Sequence, residues 1–255
     1  MLKRIWLLAI LVGLGVSVVS ADERRFAYNY EADTLPQGHL EFENWVTLRT
    51  GKENGHYSRW DLRHEVEYGL TDHLSTALYF NMSQKDTVFS FEGLSSEWKY
   101  LISSPLVNPV GVLVYGEARY SGQELELEEK LVLQRNQGNM TYVANISFEQ
   151  EWAYTGNTST KESVFEVTAG AAYKLNPNWT VALEARQNSH YTGLFMSDYE
   201  NVALFVGPTI SYSDGKFWTA FSVQPQIYGD PKTKNNLELH DHESMEVRWL
   251  TGIVF

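Results

Sequence analysis

From Gly38 almost to Phe255, apolar side chains recur at every second position, and no stretch of useful length carries the 3.6-residue apolar period of a helix. Such a chain is nearly all strand. Over residues 38–49, Leu40, Phe42, Asn44, Val46 and Leu48 share one face, while His39, Glu41, Glu43, Thr47 and Arg49 share the other. Residues 57–69 repeat the pattern, with Trp60, Leu62, His64, Val66 and Tyr68 opposite Asp61, Arg63, Glu65 and Glu67. The same spacing sets Tyr142, Ala144, Ile146 and Phe148 on one face, and likewise Phe165, Val167, Ala169, Ala171 and Tyr173. Strands are predicted at 38–49, 57–69, 74–82, 93–103, 110–120, 123–134, 140–152, 162–175, 179–187, 199–212, 216–228 and 244–255, twelve in all, with ten or fourteen as alternatives. Glu129 falls among Leu125, Leu127, Leu131 and Leu133 on the apolar face, where a bulge or a misplaced boundary is expected.

The connections give a second signal. Those after even-numbered strands are short and built of turn formers, as in Leu70-Thr71-Asp72-His73, Asn136-Gln137-Gly138-Asn139, Asn176-Pro177-Asn178 and Ser213-Asp214-Gly215. Those after odd strands are mostly longer: residues 50–56, 83–92, 153–161, 188–198 and 229–243, with Ser121-Gly122 the short exception. Alternation of short and long connections belongs to an up-and-down barrel with short turns on one side of a membrane and long loops on the other.

Residues 1–21 read as an export leader. Lys3 and Arg4 precede an apolar run from Ile5 to Val19, and Val19-Ser20-Ala21 places small residues before a cut ahead of Asp22. The run is too short to span a bilayer as a helix, which needs ~20 residues. The expected mature chain is one domain, residues 22–255, opening with a short periplasmic segment over about 22–37. There are no cysteines, which excludes disulfide scaffolds and thiolate metal sites. Loss of the leader leaves 18 basic against 32 acidic residues, so nucleic acid is not an expected partner.

A soluble sandwich also alternates. Two features favour an all-β transmembrane antiparallel barrel instead. The polar face carries opposite charges at i, i+2, as in Asp61 and Arg63, Glu97 and Lys99, Glu117 and Arg119, Glu128 and Lys130, Glu184 and Arg186, and Glu246 and Arg248, which suits a wet, charge-balanced lumen. The apolar face carries Trp60, Tyr68, Tyr120, Tyr173 and Trp179 near strand ends, as aromatic girdles do. The chain then ends with Val247, Trp249, Ile253 and the terminal Phe255 on one face, the pattern of a C-terminal signal for the barrel-assembly machinery.

With the leader, Phe255 and the strand-turn-strand Glu67-Tyr68-Gly69-Leu70-Thr71-Asp72-His73-Leu74, the whole mature chain resembles small Gram-negative outer-membrane barrels of the porin-like and transporter-like kind, among them transporters assigned to phenol-degradation pathways. The resemblance implies a fold and a place in the bacterial outer membrane, among lipid and lipopolysaccharide. It carries over no catalytic residue and no cofactor.

The lumen and selectivity candidates are Glu41, Glu43, Asp61, Arg63, Glu65, Glu67, Glu117, Arg119, Glu184 and Arg186. An acidic bore favours cationic or neutral small solutes; the same residues would equally serve as a structural ladder in a barrel that conducts nothing. Glu117-Ala118-Arg119 and Glu184-Ala185-Arg186 echo one another and would form a constriction if they stood at one height. An enzyme reading rests on His242-Glu243-Ser244, a partial match to the His-x-Ser-Asn motif of outer-membrane lipid hydrolases in which Met245 stands where Asn should, and it lacks a third group to orient the imidazole. No catalytic site is assigned. His240 and His242, two apart beside Asp241 and Glu243, form a weak candidate for a divalent metal.

Overall fold

In hydrocarbon, an open sheet edge would leave a row of unpaired backbone groups, so a sheet that spans must close on itself. In the computed structural model, which describes residues 24–53, 56–156 and 158–255, it does. The strands are β1 (Leu40–Thr50), β2 (Ser58–Thr71), β3 (Leu74–Lys85), β4 (Val88–Ser103), β5 (Gly111–Tyr120), β6 (Glu124–Gln137), β7 (Met140–Thr155), β8 (Thr158–Lys174), β9 (Trp179–Thr192), β10 (Asp198–Ser213), β11 (Phe217–Asp230) and β12 (Met245–Val254). Each pairs antiparallel with its neighbour, and β1 pairs with β12, giving a closed twelve-stranded barrel. The seam is tied at its end by Phe255 N–H donating to Leu40 O at 2.8 Å. The leader expected over residues 1–21 lies outside the described residues.

The register sets one alternate face inward. Glu41 stands between Glu67 and Val254, and Glu43 between Glu65 and Gly252, all turned into the lumen. The other face carries Phe42, Trp60, Tyr68, Leu78, Phe80, Trp98, Trp179, Trp249 and Ile253, each more than a third exposed. Glu129 faces outward with them, opposite Gly116 and Phe148, and neither pairing of β6 shifts register. The bulge expected there is absent, and the strand accepts a charge on its outer face instead. Register shifts fall elsewhere, at Gly69/Thr71, Asn81/Met82, Leu101/Ser103, Tyr199/Asn201 and Leu204/Phe205.

Three of the connections expected to be long loops are shorter than the sequence pattern suggests. β3 runs to Lys85 and β4 starts at Val88, β7 runs to Thr155 and β8 starts at Thr158, and β9 runs to Thr192 before β10 starts at Asp198. The strands project past the hydrocarbon at this end, where both faces meet water. A run such as Thr158-Ser159-Thr160-Lys161-Glu162-Ser163 then has no apolar face for the pattern to reveal. The long connections left at the loop end of the barrel are residues 51–57 and 231–244.

The larger difference lies inside. Residues 24–37, expected to hang below the barrel, turn back from the short-turn rim and fill its interior. Near the rim, Thr34 Oγ1 donates to Asp72 O at 3.1 Å and Gln37 N–H to Asp72 Oδ1 at 3.2 Å. Deeper in, Phe26, Ala32 and Leu35 are wholly buried. They pack on inward apolar side chains of the wall: Leu101, Leu113, Val132, Trp218, Ala220, Leu250 and Val254 in one cluster, and Val143 and Ala172 around Phe26 in another. Two inward glycines make the room. A Cβ on Gly170 would lie 2.6 Å from the Phe26 ring, and one on Gly252 would lie 2.2 Å from the Trp218 indole. The short-turn part of the lumen is therefore packed rather than a wet bore, apolar around the plug but with buried glutamates along β1, β2 and β4.

This division predicts unequal costs for similar truncations. Leu113→Ala, which empties space in the packed core, should lower stability by about 2–5 kcal/mol. Leu131→Ala on the outward face should cost clearly less, because lipid or detergent refills the space. Urea unfolding of the refolded barrel in detergent micelles, followed by tryptophan fluorescence, measures both.

Candidate functional site

A peptide segment with no strand partners can cross a lumen only if the wall satisfies its backbone. Glu184 on β9 does most of this. Its carboxylate accepts the backbone N–H groups of Ala27, Tyr28 and Asn29 at 2.9 Å each, and the Asn29 side-chain amide at 2.9 Å. Thr209 Oγ1 donates to the same carboxylate. Tyr30 N–H donates to Asn145 Oδ1 at 2.7 Å while Asn145 Nδ2 donates to Tyr30 O at 3.1 Å, and Ala32 N–H donates to Gln134 Oε1 at 2.6 Å. Arg248 donates to Ala27 O at 3.2 Å, with its guanidinium 3.9 Å from the centre of the Tyr28 ring. Arg24 lies over Trp45 and Tyr30, 4.6 and 4.8 Å from their ring centres.

Above this plug, a cavity of about 610 Å³ opens toward the loop end. Tyr28 and Tyr30 form its floor, and its wall mixes acids and bases unevenly, with Lys130 among the acids of β6 and Asp61 and Glu246 among the arginines of β2 and β12. Glu124, Glu126, Glu128, Glu149, Glu151 and Glu166 line the β6–β8 side, while Arg49, Arg59, Arg63, Arg186 and Arg248 come from β1, β2, β9 and β12. Ion pairs cross-link the wall. Arg63 meets Glu117 at 2.6 Å, Arg186 meets Glu166 at 3.2 Å and Glu246 at 2.7 Å, and Arg49 meets Asp61 at 2.7 Å and Glu246 at 2.6 Å. Arg119 pairs with Glu124 and Glu126. Among the described residues, Glu149 and Glu151 line the cavity without an ion pair.

All ten lumen candidates point inward, but to three different places. Asp61, Arg63, Glu117, Arg119 and Arg186 line the cavity; Glu184 holds the plug; Glu41, Glu43, Glu65 and Glu67 are wholly buried beside it on β1 and β2. The Glu-Ala-Arg echo therefore forms no single constriction, because Glu184 is taken by the plug backbone. Of the six pairs expected at i, i+2, two form: Glu97 with Lys99 at 3.4 Å and Glu128 with Lys130 at 3.0 Å. Elsewhere Asp61 pairs with Arg59 and Arg49, Glu117 with Arg63, Arg119 with Glu124 and Glu126, and Arg186 with Glu166 and Glu246, while Glu184 and Arg248 bond the plug backbone.

The mouth is partly covered by the 231–244 connection. Glu238, almost wholly buried, accepts the backbone N–H groups of His240 at 2.9 Å, Asp241 at 3.1 Å and His242 at 3.0 Å. Gln226 bonds Glu238 N–H and O at 2.8 Å each, and Lys52 donates to Asp241 O at 2.9 Å. His242 is buried, its Nε2 2.7 Å from Asn201 Oδ1 and its ring 4.7 Å from that of His190. Ser244 Oγ instead donates to Thr50 O at 3.2 Å, so the hydroxyl and imidazole of a hydrolase dyad are engaged apart. His240 is exposed while His242 is buried, and the two do not converge as metal ligands. The expectation for both pairs assumed an extended chain, which begins only at Met245.

A family model described as a family of unknown function, DUF6662, matches residues 18–255. The chain belongs to this family. Comparison with curated proteins finds no match. Among solved structures, the COG4313 outer membrane channel from Pseudomonas putida F1 is similar, with 11% identity, a TM-score of 0.61, and coverage of 88% of this chain and 98% of that one. KdgM porin in complex with disordered oligogalacturonate is similar at 10% identity and a TM-score of 0.55, over 84% of this chain and 99% of that one. A second structure of KdgM porin gives 9% identity and 0.53 over the same shares. At these identities the likeness is one of fold. This DUF6662 chain thus has the twelve-stranded architecture of bacterial outer-membrane barrels.

Two measurements test the site. Glu184→Ala removes the acceptor for three buried N–H groups and should free the segment, so that trypsin cuts after Arg24 or Arg25 in the folded variant at least about tenfold faster than in the wild type. Burial, reinforced by the positive charge of His190 and Arg186 and opposed by Glu246, lowers the His242 pKa to about 3 from its usual 6.5. A group depressed in the folded state stabilises above its unfolded pKa and loses that contribution as pH falls. The 231–244 connection should therefore loosen as pH drops from about 6.5 toward 3, seen as faster amide hydrogen exchange at residues 239–243 relative to the strands, and His242→Asn should flatten that dependence.

Proposed function

We propose that the protein is a narrow, porin-like outer-membrane channel for small cationic or neutral solutes, closed toward the periplasm by its own residues 24–37. The observation that carries this reading is the charged, acid-rich cavity, open at the loop end and floored by Tyr28 and Tyr30 of a segment that is held by side chains and not by a strand ladder. Such a segment can leave without breaking the barrel. Acidic side chains outnumber basic ones around the cavity, most densely on β6–β8, and this excess favours cations over anions. The fold shared with the COG4313 channel and KdgM porin supports transport, and the leader of residues 1–21 supports export to the outer membrane. On the same reading, the outward Val247, Trp249, Ile253 and Phe255 address the barrel-assembly machinery, the outer wall meets lipid and lipopolysaccharide, and the protein is not an enzyme.

The plug also favours a second reading, a barrel that conducts nothing. Planar-bilayer recording separates the two. The wild type should show small or infrequent steps, and deletion of residues 24–35 should raise the single-channel conductance severalfold, with Glu184→Ala raising the open fraction should the deletion fail to fold. In a potassium chloride gradient the reversal potential should report cation preference, and Glu149→Gln with Glu151→Gln should reduce it. Silence from all the unplugged variants overturns the channel.

A further inference from the structure

Beside the plug, the wall formed by β1, β2 and β4 holds five glutamates with no exposed surface: Glu41, Glu43, Glu65, Glu67 and Glu97. The register places Glu41 directly opposite Glu67, and Glu43 directly opposite Glu65. Like charges in opposed positions repel. Some of the charge is met. Trp218 Nε1–H donates to Glu41, Trp45 Nε1–H to Glu43 at 2.7 Å, and Tyr79 O–H to Glu97. Lys99 Nζ donates to Glu67 at 2.8 Å and lies 3.4 Å from Glu97. The fixed positive charges at the cluster are Lys99 and Arg24, the latter acting on Glu43 and Glu65.

An acidic cluster alone does not define a site; Glu65 adds the deciding fact. It is wholly buried, neither of its carboxylate oxygens has a hydrogen-bond partner, and it faces Glu67 and Glu97 with ligand oxygens of all three within 4.8 Å of one another. Glu43 Oε1, Glu67 Oε1 and Glu97 Oε1 are likewise buried without a hydrogen bond. Carboxylate oxygens without a hydrogen bond therefore converge from β2 and β4, with Glu97 Oε1 within 3.4 Å of Lys99 Nζ and Glu43 of β1 directly opposite Glu65. Among the described residues, Lys99 and Arg24 are the basic side chains set against these five acids. Ligands on opposite sides of a calcium ion, each at ~2.4 Å, are ~4.8 Å apart.

We propose that Glu65, Glu67 and Glu97 bind a divalent cation of the calcium type, with Glu43 completing the oxygen set. An all-carboxylate donor set selects a hard cation, and an irregular, largely dry set of oxygens suits calcium better than magnesium, which demands octahedral geometry and keeps its water. The ion would tie β1, β2 and β4 together behind Trp45 and Arg24, and so stiffen the wall on which the plug rests. This does not depend on whether the barrel conducts.

The test uses full-length mature protein refolded in detergent, stripped with a chelator, and titrated with calcium chloride or terbium chloride. Calcium should raise the temperature at which the folded, fast-migrating gel band converts to the unfolded form, in a saturable way and at lower concentration than magnesium. Terbium should show luminescence sensitised by Trp45. Glu65→Gln should weaken both effects by more than about tenfold, with Glu97→Gln as the second variant should the first not fold. Glu151→Gln, in a separate acidic group in the cavity, should leave both effects unchanged. The proposal is overturned by a wild type that neither shifts nor luminesces, by a Glu151→Gln variant that abolishes the effects, or by Glu65→Gln and Glu97→Gln variants that calcium still stabilises as strongly as the wild type.

Discussion

A stretch of backbone that enters a barrel without joining its sheet leaves every N–H and C=O in search of a partner, and this governs the architecture. One carboxylate, that of Glu184, takes three consecutive N–H groups, and Asn145, Gln134 and Arg248 take most of what remains nearby. With its polar groups matched, the segment can carry Phe26, Tyr28, Tyr30, Ala32 and Leu35 against the wall. The wall answers with apolar residues on its inner face, and with glycines where an aromatic ring must fit. The interior is thereby cut in two: a packed core at one end and a charged cavity at the other.

That division also sorts the charges. In the cavity, Arg49, Arg63, Arg119 and Arg186 each reach one or more acids, some of which, such as Glu117 and Glu246, are themselves buried in the wall. Their effect is on the field. Beside the plug, the same residue types sit without solvent, where an uncompensated charge costs far more than a pair returns. The distinction between the two sets of glutamates is one of environment and not of sequence, since Glu65 and Glu117 occupy equivalent inward positions on their strands.

The period of two made the barrel, its strand number and the inward residues readable, because lipid contact imposes alternation on every spanning strand. It could not tell where strands end once both faces are wet, nor which acid meets which base, since that depends on register between strands. Signals of the plug were nevertheless present. Tyr100-Leu101-Ile102, Val112-Leu113-Val114 and Leu131-Val132-Leu133 are apolar on both faces, and a strand with lipid outside and water inside has no reason for Leu101, Leu113 or Val132. Something apolar had to lie within. Phe26, Tyr28 and Tyr30, aromatic residues ahead of the first strand with no hydrocarbon to face, were the matching half.

The plug's contacts also bear on assembly. Asp72 of the early β2–β3 hairpin holds its rim end, but its deeper partners Asn145, Glu184, Glu246 and Arg248 come from β7, β9 and β12, more than a hundred residues along the chain. Contacts of such separation form late, after the loop-closure entropy has been met by other pairings. Arg248 and Glu246 sit on the strand that zips onto β1 at closure. The strand that closes the cylinder against β1 thus also supplies Glu246 and Arg248 to the plug, so seam and core share one element.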